Sequence, residues 1–171
     1  MDAMLQDMEG GAMDLDVQAG RRDLAAIYRD DGPGLWRTIY AFTGGRYAAT
    51  EDVVAEAFAR ALTYDGRIQD PVAWLYRVAF RLAQQELKDD RRGGEQVETA
   101  TPPPELTGLV SALRMLSPNQ RAAIVLHHEA DLPIDEVARR MGVASPTVRV
   151  HIHRGRKRLR EILGSEEVTD R

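Results

Sequence analysis

Apolar residues recur at helical spacing along most of the chain. Leu24, Ile27 and Tyr28 fall on one side of a helix predicted over residues 21–31, which Gly32-Pro33-Gly34 breaks. Leu35, Ile39 and Phe42 mark a second helix that ends at Gly44-Gly45. Over residues 50–63, Val53, Val54, Ala57, Phe58, Ala61 and Leu62 supply a broad buried side, with Thr50 placed to cap the start. A long helix from Pro71 to about Arg92 gathers Leu75, Val78, Ala79 and Leu82 on one side. Residues 93–105, with Gly93-Gly94 and Pro102-Pro103-Pro104, fit no regular packed element and read as a linker.

Two further helices follow, over residues 106–115 and 117–129, with Leu109, Leu113, Leu116, Ile124, Val125 and Leu126 facing a shared core. Ile134, Val137, Ala138 and Met141 then recur at i, i+3, i+4 and i+7, and Gly142 supplies a left-handed stop. Ser145-Pro146 restarts the chain as a helix, the hydroxyl as cap and the proline at a position where no donor is missed. Val148, Ile152, Leu159 and Ile162 form its buried side, and the pair reads as a helix-turn-helix. The expected fold is therefore all-α: two small helical domains, 21–92 and 106–163, joined by a flexible linker, the second a four-helix domain with the helix-turn-helix. Residues 1–20 carry several acids, Gly10-Gly11 and four methionines, any of which can be the natural start; an acidic disordered tail is expected there, and a short tail over 164–171.

Charge changes this picture more than composition does. The net charge of −4 divides into +8 over Arg139–Arg160, where no acid occurs, and −12 elsewhere. A chain that is acidic overall has placed its cations on one short element, the pattern of a surface that meets phosphates. A solvated basic face is the plainer reading, but the paired helices, the restart, and Thr147, Arg149 and His151 at the helix entrance favour duplex DNA.

A second stripe lies on the long helix, where Trp74, Arg77, Arg81, Gln84 and Lys88 oppose the apolar side. Aromatic faces among cations hold unpaired bases by stacking and charge; packing of Trp74 onto the helix over residues 50–63 is the alternative for that residue alone. Asp52, Glu56 and Arg60 form an acidic-basic row, either a solvated face or a docking surface for a basic partner. The chain has no cysteine, so disulfides and thiolate metal sites are excluded, and no apolar run approaches the roughly 20 residues of a membrane span. A cytoplasmic protein is expected.

The order of these parts resembles the extracytoplasmic-function (ECF) sigma factors, RNA polymerase sigma factors that retain regions 2 and 4. The region 4 likeness rests on Leu116-Ser-Pro-Asn-Gln-Arg121, Asp135-Glu-Val-Ala138, Met141-Gly142, Ser145, Thr147-Val-Arg149 and Arg154-Gly-Arg-Lys-Arg-Leu159. The region 2 likeness rests on Glu51-Asp-Val-Val54, Glu56, Phe58, Arg60-Ala-Leu62, Ala73-Trp-Leu-Tyr-Arg-Val-Ala79 and Leu82-Ala83. The chain departs from the pattern at Ala55, Phe80-Arg81, Gln85, Asp89-Asp90, His151 and His153.

The resemblance implies a non-enzymatic factor that directs core polymerase to promoters. It implies docking on the beta-prime clamp through Asp52, Val53, Glu56 and Phe58, and a further contact with the beta flap. It implies capture of the minus-ten single strand by Tyr64, Asp65, Arg67, Trp74, Arg77, Arg81, Gln84, Gln85 and Lys88. It implies reading of the minus-thirty-five duplex by Ser145, Thr147, Arg149, Val150, His151, His153, Arg154, Arg156, Lys157 and Arg158. An anti-sigma factor is a further partner it implies; no cofactor and no membrane contact are.

Two other readings remain open. A stand-alone helix-turn-helix regulator predicts a dimer on a palindromic site and leaves Asp52, Glu56 and the Trp74 stripe without a role. A metal site built on His127-His128-Glu129 with His151 and His153 lacks HExxH spacing, and adjacent helical positions point apart. No Walker-type glycine loop, nucleophile motif or acid–base pair points to catalysis.

Overall fold

The computed structural model describes residues 24–64, 68–93 and 104–169, and every regular element among them is a helix. The N-terminal half comprises α1 (residues 24–30), α2 (Gly32–Thr43), α3 (Tyr47–Thr63) and α4 (Pro71–Gly93). The C-terminal half comprises α5 (Pro104–Arg114), α6 (Pro118–His128), α7 (Ile134–Met141) and α8 (Ser145–Thr169). The expected tail over 1–20 and most of the expected linker, 94–103, lie outside the described residues.

Local signals explain several boundaries. Ser117 accepts from the Gln120 amide while the Gln120 side chain accepts from the Ser117 N–H, a reciprocal capping box that starts α6. Gly142 closes α7 at φ +70°, a left-handed conformation that its missing Cβ permits. Asp70 starts α4: its Oδ1 accepts from the Ala73 amide at 3.1 Å.

Several expectations are corrected. Gly32-Pro33-Gly34 opens α2 instead of separating two helices, because a proline in the first turn costs no hydrogen bond; the break falls at Asp31. Thr50 does not cap α3, which begins at Tyr47; its buried hydroxyl donates to the Arg46 carbonyl at 2.6 Å. Ser145 does not act as an accepting cap either, since its hydroxyl donates to the Asp135 carboxylate across the turn. Tyr28 is 61% exposed, its ring meeting the Phe58 ring edge-on. Leu62 is 53% exposed; it lies about 40° beyond Phe58 around the helix, outside the buried arc. Leu109 is exposed too, and Ala112, one turn on, takes the core position. Helix α8 continues to Thr169 through the stretch read as a tail, for Gly164 alone does not stop a helix. Gly93 and Pro104, assigned to the linker, terminate and begin helices.

In the N-terminal half α3 packs on α2 and α4, around Leu35, Ile39, Phe42, Val53, Val54, Ala57, Phe58, Leu75, Ala79 and Phe80. In the C-terminal half α8 lies on α5, α6 and α7, around Leu126, Val137, Val148 and Ile152. Gly155 lets α8 seat directly on α6: a Cβ there would meet Ile124 Cγ1 at 3.0 Å.

The two halves also pack directly on one another, α2 against α5 and α6, and α4 against α7, so their apolar side chains form one continuous core. Arg121, 3% exposed, is the centre of that junction. Its guanidinium donates to the Phe42 carbonyl at 3.1 Å, to Leu113 at 2.8 Å and to Arg114 at 2.7 Å, and it lies 5.3 Å from the Phe42 ring centroid. One side chain thus satisfies carbonyls at the C-terminal ends of two helices, α2 and α5, where the helix dipole favours a cation.

Candidate nucleic-acid interface

Helix α8 separates its two sides cleanly. Val148, Ile152 and Gly155 are buried, while Thr147, Arg149, Val150, His153, Arg154, Arg156, Lys157 and Arg158 are exposed and Ser145 and His151 half-buried. The buried residues fix the rotation of α8 against α6 and α7, and that rotation sends the cations outward together. Val150 is an exposed apolar side chain at the helix entrance, suited to contact with a thymine methyl. Arg158 pairs with Glu161 at 3.4 Å, with both side chains half exposed, a contact that solvent weakens.

Arg156 differs from its neighbours. Its Nε and Nη2 lie 3.3 and 3.0 Å from His128 Nε2 on α6, so a neutral His128 accepts from it. Burial, then the charges of Arg156 and His127, hold the His128 pKa below the ordinary 6.5. A depressed folded pKa means that the unfolded chain binds the proton more tightly. This contribution to stability is present above about pH 6.5 and is lost as pH falls through the folded pKa. Urea midpoints measured between pH 7.5 and 5 are expected to fall, and His128→Gln is expected to flatten that slope; an unchanged slope would remove His128 as the cause. His127 is engaged elsewhere, its Nδ1 2.7 Å from the Leu132 carbonyl oxygen. Among the described residues no group of three or more His, Asp or Glu is arranged to hold a metal ion.

The stripe on α4 is brought together in part. Arg81 and Lys88 are exposed, Gln84 is half-buried, and Gln85 donates to Asp89 one turn on. Trp74 is half-buried against the core, with the exposed Tyr64 ring 5.7 Å away, so the indole both packs and presents an aromatic edge. Arg77 reaches across to the other half and donates to the Arg139 carbonyl at 3.1 Å. Asp65 and Arg67 lie outside the described residues.

On α3, Asp52 and Glu56 are exposed, and Glu56 pairs with Arg60 at 2.7 Å. Val53 and Phe58, by contrast, are buried in the core beneath that face. Sequence reasoning missed the neighbouring aromatic group. Trp36 stacks on Tyr40 at 4.9 Å, meets Tyr47 edge-on at 5.4 Å, and donates from Nε1 to Glu51. The spacing of Trp36 and Tyr40, four residues apart, was the available signal.

Also missed was a charged network on α7. Glu136 accepts from Arg139 and Arg140 at 2.7 Å each, while Arg139 Nη1 holds Asp70 Oδ2 at 2.7 Å. The hydrogen bond from Arg139, above all, keeps the Glu136 carboxyl below its usual pKa. Arg140 lies over the Tyr76 ring, 4.2 Å from its centroid, and burial raises the Tyr76 pKa.

Two family models match the two halves: sigma-70 region 2 over residues 27–93 and sigma-70 region 4 over residues 107–159. The chain belongs to the ECF sigma factors. It is 29% identical over 142 residues to the RNA polymerase sigma-E factor of Streptomyces antibioticus, covering 82% of this chain and 75% of that protein. It is 34% identical over 146 residues to the ECF RNA polymerase sigma factor SigJ of Mycobacterium tuberculosis, covering 72% of this chain but only 46% of that protein. Its fold is similar to the sigma factor RpoE in complex with the anti-sigma factor NepR from Bartonella quintana, with TM-score 0.57 and 23% identity over 84% of this chain and 96% of that one. Among the described residues of this ECF sigma factor no helix is long and apolar enough to cross a membrane.

Proposed function

We propose that this sigma factor binds core RNA polymerase and directs it to promoters, reading the minus-thirty-five element with α8 and opening the minus-ten element with α4. The single observation that carries this reading is the open cationic face of α8, held in a helix-turn-helix by a buried opposite side. The helix entrance, Ser145 to Arg149 with Val150 and His151, takes the base edges in the major groove; Arg154, Arg156, Lys157 and Arg158 take phosphates. Tyr64, Trp74, Arg81 and Lys88 supply the stacking faces and backbone charge for a separated strand. Asp52 and Glu56, beside Glu51 and the Trp36 group, dock on the beta-prime clamp, and the C-terminal half on the beta flap. An anti-sigma factor is the expected inhibitor of these surfaces. The factor makes no bond itself; it acts by binding.

Run-off transcription with core polymerase, with and without this chain, tests the reading. Product is expected only with it, and its absence on every promoter offered would end the proposal. Within that assay Arg149→Ala is expected to relax choice at one upstream position, a loss of about 1–3 kcal/mol of discrimination. Arg158→Ala is expected to weaken all promoter variants alike and to reduce the salt slope by about one. Equal losses on all variants for Arg149→Ala would contradict the assignment of that residue.

A further inference from the structure

Arg139 and Arg140 hold Glu136, and Arg158 holds Glu161, whereas Arg156 has no carboxylate partner among the described residues. Its guanidinium lies instead on His128, the last residue of α6, with Nε and Nη2 at 3.3 and 3.0 Å from Nε2. Two helices fix this pair. Gly155, the residue before Arg156, seats α8 on Ile124 of α6, one turn before His128, so the two side chains are held side by side. Both are exposed, on the edge where α6 and α8 meet. An imidazole that accepts at Nε2 is neutral; once protonated it donates from both nitrogens and carries a charge. Burial opposes that proton in the free chain, and so do Arg156 on α8 and His127 on α6. Of the other helices packed on α6, α7 carries Asp135 and Glu136, taken up by Ser145 and by Arg139 and Arg140, and α2 carries Arg37 as its charged group. Glu129 and Asp131, which follow His128, are exposed and do not bond to it. The pair therefore combines a fixed cation with a ring that needs only an anion beside it to become a second one.

We infer that His128 and Arg156 together form a phosphodiester site: on duplex DNA the imidazole takes up a proton, and both side chains donate to one backbone phosphate. The inference rests on the proposed reading of α8 as the duplex-binding helix, and adds to it a residue from α6 and a dependence on pH. In the free chain the neutral ring restrains the guanidinium as an acceptor. A phosphate reverses the local balance, because its charge offsets that of Arg156 and favours the imidazolium, and the C-terminal end of α6 favours a cation as well. The complex then holds the proton more tightly than the free chain does. Affinity rises as pH falls through the bound-state pKa and levels off below the free-state one, itself under 6.5. A difference of about one pH unit between those values is worth at most about tenfold in affinity. Because phosphates carry no sequence information, the gain applies to every site alike and changes the strength of binding without changing the choice of promoter.

The test uses the full chain and a fluorescent duplex of about 30 base pairs and arbitrary sequence at about 50 mM salt, since phosphate contacts need no promoter and are strongest at low ionic strength. The His128 ring is followed by NMR with and without duplex, so the titrations of His127, His151 and His153 are read separately. Its midpoint is expected to rise when duplex is added, and affinity to increase by about threefold to tenfold between pH 7.5 and pH 6. Over the same interval the slope of log affinity against log salt is expected to steepen by about 0.9 on account of His128, the increment of one more phosphate contact. His128→Gln, which still offers Arg156 an oxygen but cannot charge, is expected to remove that increment. His128→Lys, charged throughout, is expected to show it already at pH 7.5. A His128 midpoint that stays or falls while duplex binds overturns the phosphodiester site and leaves α8 as the duplex-binding helix. An increment that persists unchanged in His128→Gln, or is missing from His128→Lys at pH 7.5, overturns it in the same way. A chain that binds no duplex at either pH overturns the site and the reading of α8 together.

Discussion

Replacing Arg121 with methionine is expected to lower the unfolding free energy by about 2–5 kcal/mol, because it strips donors from the buried bond to the Phe42 carbonyl and from two part-buried ones. Arg121 donates to Phe42 at the end of α2 and to Leu113 and Arg114 at the end of α5, and is 3% exposed. Methionine preserves most of the apolar stem and the volume, so little of the loss comes from packing. The Phe42 carbonyl remains buried without it, and a buried acceptor left unsatisfied costs about 1–3 kcal/mol, with a smaller loss at the part-buried carbonyls of Leu113 and Arg114. Chemical denaturation with an unchanged slope and a lower midpoint would report this directly. An unfolding free energy within about 0.5 kcal/mol of the parent chain would mean that the guanidinium is dispensable at the junction.

The second large effect is expected at Phe42. Its side chain is fully buried, meets Phe80 edge-on at 5.0 Å and lies beneath Arg121. Phe42→Ala is expected to cost about 3–5 kcal/mol, from the lost transfer energy and the cavity left where the two halves meet. The two substitutions share partners, so their effects should not add. The double variant is expected to fall short of the sum of the singles by about 0.5–3 kcal/mol. Strict additivity would place the two side chains in independent environments, against the 5.3 Å separation of charge and ring.

The elements that repeat an apolar spacing over several turns were legible in the sequence. Val53, Val54, Ala57 and Phe58 are buried on α3, and Leu75 and Ala79 on α4, as the spacing requires. The helix-turn-helix was legible for the same reason, with Gly142 supplying the stop between two amphipathic segments. The open cations of α8 followed from charge alone once its buried side was known.

What escaped was the contact between distant parts. Arg139 and Arg140 counted as two of eight cations in a basic run, yet the structure uses both within the chain, on Asp70, Glu136 and Tyr76. Nothing local distinguishes a cation bound to a partner 69 positions away from one open to solvent. Arg121 is hidden in the same way: its motif carries the family likeness, but a buried guanidinium shared by two helix ends is a property of their meeting. The capping errors at Thr50 and Ser145 have a related cause. A hydroxyl that can cap can equally donate, and here a neighbouring carbonyl and carboxylate accept those hydrogen bonds.

The seat of α8 on α6 at Gly155 makes a rod with a fulcrum. From that point the helix runs about 15 Å toward Ser145 and about 21 Å toward Thr169, at 1.5 Å per residue. A tilt of about 10° at the seat would displace the entrance by about 2.6 Å, nearly the length of a hydrogen bond, with the far end swinging the opposite way. On the proposed reading of α8, whatever loads the outer arm would therefore be transmitted to the end that meets the bases, and a bulky group fused near Thr169 is expected to shift promoter choice.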